Sequence, residues 1–255
     1  MKQPFSQKEK RLVSLWIMLG AALCVPQAAS AMHIMEGYLP PSFCVAWSVL
    51  CLPFLAVGVV RLGRLTQNRK LLILLAMAGA FVFVISSLKI PSVSGSCSHM
   101  TGTGLAAILF GVPVASILGI IVLVFQALLL AHGGLTTLGA NTFSMAIAGP
   151  LVSWSVYALA KRFHVSRKVA VFLAAALGDL FTYCVTSLQL AVAYPAQEGG
   201  IGASAVAFLG VFAPTQLPLA VLEGILTVMI LSGLESYAQL ELQEIGFLER
   251  GRSDR

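Results

Sequence analysis

Long apolar runs alternate with short polar or basic segments along this 255-residue chain. Residues 42–60, 71–88, 140–160, 169–193 and 217–234 each carry an apolar stretch of membrane-spanning length. About 20 such residues cover the hydrocarbon core of a bilayer as a helix. Residues 105–130 read either as one long helix or as two short ones broken at Gly111-Val112-Pro113. Proline removes a backbone donor, and a break inside a membrane is tolerated where protein neighbours satisfy the freed groups.

The basic residues choose between these readings. Arg61, Arg64, Arg69 and Lys70 follow the first run, and Lys161, Arg162, Arg167 and Lys168 follow residues 140–160. Cytoplasmic loops carry the excess of Lys and Arg. For both clusters to be cytoplasmic, residues 133–139 must lie outside, so residues 105–130 must cross twice or re-enter. The expected fold class is an all-α, polytopic membrane protein of about seven transmembrane helices. Its polar tail, from Glu235, lies inside. The small residues of LAMAGAFVF and FLAAALGDL permit close helix contacts.

The first thirty-one residues follow a different pattern. Lys2, Lys8, Lys10 and Arg11 precede a short apolar run at residues 12–23, and Ala29-Ser30-Ala31 follows Pro26. A basic start, a short apolar core and a small-x-small site make up a cleaved secretory signal. The alternative is an uncleaved anchor helix. Residues 1–31 are therefore expected to be a signal peptide and residues 32–255 one membrane-embedded metal-binding domain. Cleavage after Ala31 gives a mature chain that starts outside the membrane with a free amine on Met32 and with His33 second.

Composition agrees and removes other classes. Hydrophobic residues make up 58% and charged residues 10%, against about 25% charged in soluble domains. The net charge of +6 belongs to the loop clusters that orient the spans, and nucleic acid is not an expected partner. The five cysteines show no paired spacing, so neither a disulfide framework nor a structural zinc site is indicated. No GxxxxGK[ST] occurs, so the chain carries no phosphate-binding loop and no ATPase motif of its own.

The new terminus offers a chelate. The Met32 amine and the His33 backbone nitrogen close a five-membered ring on a metal, and that nitrogen with His33 Nδ1 closes a six-membered one. The three nitrogens lie nearly in one plane. A fourth in-plane donor completes a square-planar set, a geometry associated with Ni(II) and Cu(II). Parity puts KIPSVSGSCSHMTGTG, residues 89–104, on the Met32 side, which makes His99 the favoured fourth ligand. His132 is on that side too, as a rival ligand or a helix cap. His164 falls in a basic cytoplasmic loop as a solvated residue. Cys97 is read as a buried thiol rather than a soft ligand. Glu36 pairs either with the metal's charge or with a loop amide. Ser96, Ser98 and Thr101 are candidates to orient His99 through its other nitrogen. Asp179 and Glu223 sit within apolar spans, where an ionisable group suggests function; they are read as polar packing or partner contacts, with an intramembrane hydrolase as a remote alternative.

At MHIMEGYLPP (32–41), KIPSVSGSCSHMTGTG (89–104) and QALLLAHGGLTTLGANTFSMAIAGP (126–150), the chain resembles the CbiM family. These are substrate-binding membrane subunits of energy-coupling-factor cobalt importers. The resemblance implies seven transmembrane helices and Co(II) as transported substrate, with no organic cofactor. It implies metal bound by the amine of Met32, the nitrogens of His33, and His99. It implies partners: a small CbiN-like membrane subunit, a CbiQ-like coupling subunit and a CbiO-like ATPase. The expected setting is a bacterial plasma membrane, with cobalamin biosynthesis as the use of the metal. Related nickel subunits carry Pro-Asp where Met35-Glu36 stand, so the departure favours cobalt over nickel. A stand-alone metal channel or secondary carrier is the other reading.

Overall fold

A computed structural model describes residues 33–91 and 97–248. The expected signal peptide, Met32 and Ser96 lie outside the described residues, as does the Cys97 side chain.

Helix α1 (Pro41–Leu65) starts with proline in its first turn, where the missing N–H costs no hydrogen bond. Helix α2 (Arg69–Ser87) is capped by Asn68, whose side chain accepts from Lys70 N–H at 3.0 Å. The chain then forms a small antiparallel pair, β1 (Ile90–Pro91) with β2 (Cys97–Ser98), in register Ile90↔Ser98 and Pro91↔Cys97. This pair delivers the segment 98–102 to α3 (Thr103–Phe110), which is followed at once by α4 (Val112–Leu130).

The break expected at Gly111 is present. Gly111 has φ +82°, a left-handed value that glycine reaches without Cβ strain, and it turns α3 back onto α4. Helix α3 has eight residues, about 12 Å, well short of a span. Residues 105–130 therefore hold one half-helix and one helix of spanning length rather than two full spans. As a buried half-helix, with Leu105, Ala106 and Ala107 each at most 1% exposed, α3 leaves no backbone to lipid.

Helix α5 (Leu138–Arg162) contains a π-helical stretch, Thr142–Ala148. The Thr103 hydroxyl donates to the Met145 carbonyl within it at 3.0 Å. Helix α6 (Arg167–Ala193) packs on α5 so closely that a Cβ on Gly178 would lie 3.0 Å from the Gly149 carbonyl oxygen. That is the close approach the small-residue run FLAAALGDL permits. Helix α7 (Gly200–Tyr237) contains Pro214 and Pro218, and α8 (Gln239–Glu244) ends the described chain. Among the described residues, six helices are long and apolar enough to cross a membrane; with the half-helix α3 they make a polytopic α-helical membrane protein.

Candidate metal centre

Residues 33–40 fold into the bundle instead of trailing from it. Ile34 is 2% exposed and packs with Leu39, Ala140 and Leu190. Asn141 grips its backbone from both sides: Ile34 N–H donates to Asn141 Oδ1 at 2.8 Å, and Asn141 Nδ2 donates to the Ile34 carbonyl at 3.0 Å. The Thr137 hydroxyl donates to the same carbonyl at 2.6 Å. Gly37 N–H donates to Thr136 Oγ1 at 3.2 Å, and Thr136 N–H to Glu36 Oε2 at 3.1 Å. Glu36 thus takes the loop amide, one of its two expected roles, and the Thr136 hydroxyl first, with that amide second, holds its carboxyl below the usual range.

This grip brings His33 to His99. His33 Nδ1 lies 2.5 Å from His99 Nε2, although 66 positions separate the two in sequence. Two lone pairs repel at that distance, so a proton lies between these nitrogens or a cation takes its place. Cis nitrogens on one divalent ion stand about 2.9 Å apart for bonds of about 2.05 Å. The other His99 nitrogen, Nδ1, donates to the Met100 carbonyl at 2.8 Å. That bond fixes the tautomer and turns the Nε2 lone pair toward His33. The orienting group is therefore a backbone carbonyl. Ser98 and Thr101, expected in this role, are engaged elsewhere, with Thr215 and Glu223.

His132 belongs to the same cluster. It follows Ala131, a non-glycine residue at φ +47°, and precedes Gly133 at φ +75°. A non-glycine residue in the left-handed region costs about 1–2 kcal/mol. One nitrogen from each of His33, His99 and His132 lies within 4.8 Å of the others. All three rings are at most 3% exposed. Burial holds the His33 imidazole well below its ordinary value near 6.5, and the adjoining His99 and His132 lower it further. Burial pushes His99 down to about 4 and His132 to about 2. Neutral imidazoles are the form that binds metal.

The loop carrying His99 is tied to α7 at three levels. Ser98 Oγ and Thr215 Oγ1 are 2.8 Å apart. Gln216 Nε2 donates to the His99 carbonyl at 3.2 Å and to Asp179 Oδ2 at 2.6 Å. Glu223, fully buried, accepts from Thr101 N–H at 2.6 Å, from Gly102 N–H at 2.9 Å and from the Thr101 hydroxyl at 2.9 Å. These amides begin α3, where helix N–H groups have no internal partner and the dipole favours an anion. Glu223 and Asp179 thus both reach the His99 loop, and the Glu223 oxygens are occupied by it. Asn141, Gln216 and Glu223 were not legible as site residues, although intramembrane Glu223 was marked by its cost. His164 stands apart, beside Lys161 and Arg167.

Buried, uncharged nitrogen donors gathered at one end of a set of spans define a membrane metal-transport protein. Comparison with known proteins gives the family. The model for the cobalt uptake substrate-specific transmembrane region matches residues 33–240, and the chain belongs to this CbiM family. A cobalt transport protein CbiM of Lachnoclostridium phytofermentans is 60% identical over 96% of this chain and 99% of its own length. One of Chlorobium limicola is 64% identical, over 82% of this chain and 83% of its own. The crystal structure of a transition metal transporter superposes with a TM-score of 0.71 at 26% identity, over 86% of this chain and 99% of that one. A truncated transition metal transporter gives 0.71 at 25%, over 80% and 99%.

Proposed function

We propose that the chain is the substrate-capture subunit of an ATP-driven, energy-coupling-factor cobalt importer. It takes up Co(II), with Ni(II) as the second candidate, to supply cobalamin biosynthesis. Residues 1–31 are removed on export, and the Met32 amine, the backbone nitrogen and Nδ1 of His33, and His99 Nε2 hold the ion on the outer face. A CbiQ-like coupling subunit and a CbiO-like ATPase then drive release to the cytoplasm, with a small CbiN-like subunit completing the assembly in a bacterial plasma membrane. The observation that carries this reading is the meeting of His33 Nδ1 with His99 Nε2 at 2.5 Å. The bonds of Asn141 and Thr137 to the Ile34 backbone hold His33 in that position.

Intact mass of the purified protein in native buffer, with Co(II) and then Ni(II), tests it. A chain beginning at Met32 that retains one ion supports the amino-terminal chelate. A chain still carrying residues 1–31 that binds equally well removes the amine from the site. Metal uptake by this chain reconstituted alone would instead establish a channel or secondary carrier.

The docking also makes a steric prediction. A Cβ on Gly134 would lie 2.5 Å from Glu36 Cα and 2.7 Å from its backbone nitrogen. Gly134→Ala must push the 33–37 segment outward and is expected to weaken Co(II) binding by about ten- to a hundredfold, as losses of groups that orient ligands do. Gly210→Ala, with open space at its Cβ, is the control and should bind as the parent does. Titration calorimetry in detergent reads both.

A further inference from the structure

We propose that the groove between α2 and α7, at the end of the bundle that carries Lys70 and Glu241, binds one phospholipid whose head joins a phosphate to a primary ammonium, a phosphatidylethanolamine. The inference goes beyond metal capture. It rests on the membrane-spanning helices alone, so it stands or falls apart from the chelate.

Three observations carry it. First, the groove is an apolar trough with a polar mouth, and its cavity measures about 410 Å³. Ile73 and Met77 on α2, and Met229, Gly233 and Tyr237 on α7, line it. Each set has four-residue spacing and so lies on one face of its helix. Leu74 and Leu234, buried in one core cluster, form the floor. Ile73, Met77 and Met229 are exposed, so the trough opens toward lipid and not into the protein.

Second, two opposite charges share the mouth. Lys70 stands in the first turn of α2 and Glu241 on α8, and both line the cavity. Neither side chain has an ion-pair or hydrogen-bond partner among the described residues. Helix α8 is fixed across this end: it packs on α2 and α7, and Asn68 Nδ2 donates to Glu244 Oε2 at 2.8 Å. Tyr237, exposed, ends α7 here, and tyrosine is enriched where lipid meets water. Third, Gly233 leaves a notch in the middle of the α7 face. A Cβ there would meet nothing within 4 Å, so no neighbour in the chain requires its absence. Glycine weakens a helix interior, and here it deepens the trough.

This is the layout of a phospholipid. The phosphate accepts from the Lys70 ammonium, and the head's own ammonium donates to the Glu241 carboxylate. Hydrogen bonds between charged groups are stronger than neutral ones. One acyl chain runs along the trough. The two charges also choose the head. An anionic head without an ammonium sets its phosphate against Glu241 with nothing to neutralise it, and a trimethylated ammonium has no N–H to donate. An apolar helix of a partner would fill the trough but leave Lys70 and Glu241 unanswered at its edge.

The test uses the full mature chain, stripped of lipid in detergent, and native mass spectrometry with phosphatidylethanolamine, phosphatidylcholine and phosphatidylglycerol of the same acyl chains. The parent should retain one phosphatidylethanolamine and bind it about fivefold more tightly than the other two, the effect of one charge contact at a membrane surface. Glu241→Gln keeps the size and removes the anion. It should lose that preference and bind phosphatidylglycerol about fivefold better than the parent does. Lys70→Gln should weaken all three by about fivefold. Gly233→Leu, whose side chain starts in open space, should fill the notch and lower retention of every lipid. A merely structural role for Glu241 would not reorder the head groups. Equal affinities for the three lipids in the parent, or an unchanged order in Glu241→Gln, overturns the proposal. So does a trough that keeps no lipid while Gly233→Leu blocks assembly with partner subunits, which would make it a helix-docking face. The order of affinities in the parent decides it even if a variant fails to fold.

Discussion

His99→Ala is expected to lower Co(II) affinity by about a hundredfold to a thousandfold. Four-ligand protein sites gain about 10–16 kcal/mol from their metal at neutral pH, roughly 2.5–4 kcal/mol per ligand, and each 1.4 kcal/mol is tenfold. The loss should appear in calorimetry and in the retained-metal mass alike. Undiminished binding would sink the assignment of His99. The same site predicts a pH profile. His99 titrates near 4 in the folded chain, down from about 6.5, because burial disfavours its charged form. Folding therefore weakens its hold on a proton. Its contribution to stability is fully present above pH 6.5 and is lost as pH falls from there toward 4. His33 and His132 shift the same way. Near neutral pH the imidazoles offer no proton competition. In the proposed chelate the competing protons there are those of the Met32 amine, ordinarily near 7.7–8.0, and of the His33 backbone amide. Co(II) affinity should thus decline through pH 8 to 6, then fall more steeply toward pH 4. A profile centred on 6.5 would show that the imidazoles are solvated.

The hydropathy pattern and the two basic clusters were enough to place the spans, to break residues 105–130 at Gly111 and to put His33, His99 and His132 at one end. All of that follows from local chemistry: apolar length, a left-handed glycine, and Lys and Arg at loop positions. The start of α7 at Gly200 was not legible, because Pro214 and Pro218 look like stops. Both prolines are exposed on α7, and a membrane helix tolerates proline where local adjustment re-satisfies the freed backbone groups. The π-helical stretch in α5 was hidden because it depends on tertiary partners such as Thr103. The site divided along the same line. The His33–His99 pair followed from chelate chemistry and topology. Asn141, Gln216 and Met100 act through backbone contacts across 107, 117 and 1 positions, and no spacing rule encodes these. The fold brings His99 and His132 to one point beside His33, a proximity that sequence spacing does not encode.

Glu223→Ala is expected to cause the largest loss of any change that touches no metal donor. Glu223 holds the start of α3 through Thr101 N–H, Gly102 N–H and the Thr101 hydroxyl. Removing it strands buried donors in a membrane interior, at about 1–3 kcal/mol each, so a loss of about 3–5 kcal/mol in stability follows. Because His99 is two residues from Thr101, and Gln216 on the same helix bonds its carbonyl, the loop loses its register and Co(II) affinity falls by about ten- to a hundredfold. Glu223→Gln keeps one acceptor oxygen and places an NH2 group against the other amide, so it should lie between parent and alanine in both measurements. Thr227→Val, one turn further along α7 at a buried hydroxyl with no hydrogen-bond partner among the described residues, changes the helix without touching the loop and should be close to neutral. If Glu223→Ala is less stable yet binds Co(II) as the parent does, α7 supports the bundle but does not position His99. If both fall together and Thr227→Val leaves both intact, the hold on the ion is set from α7. Pro214 and Pro218 flank Gln216 on α7, the helix whose Gln216 side chain bonds the His99 carbonyl.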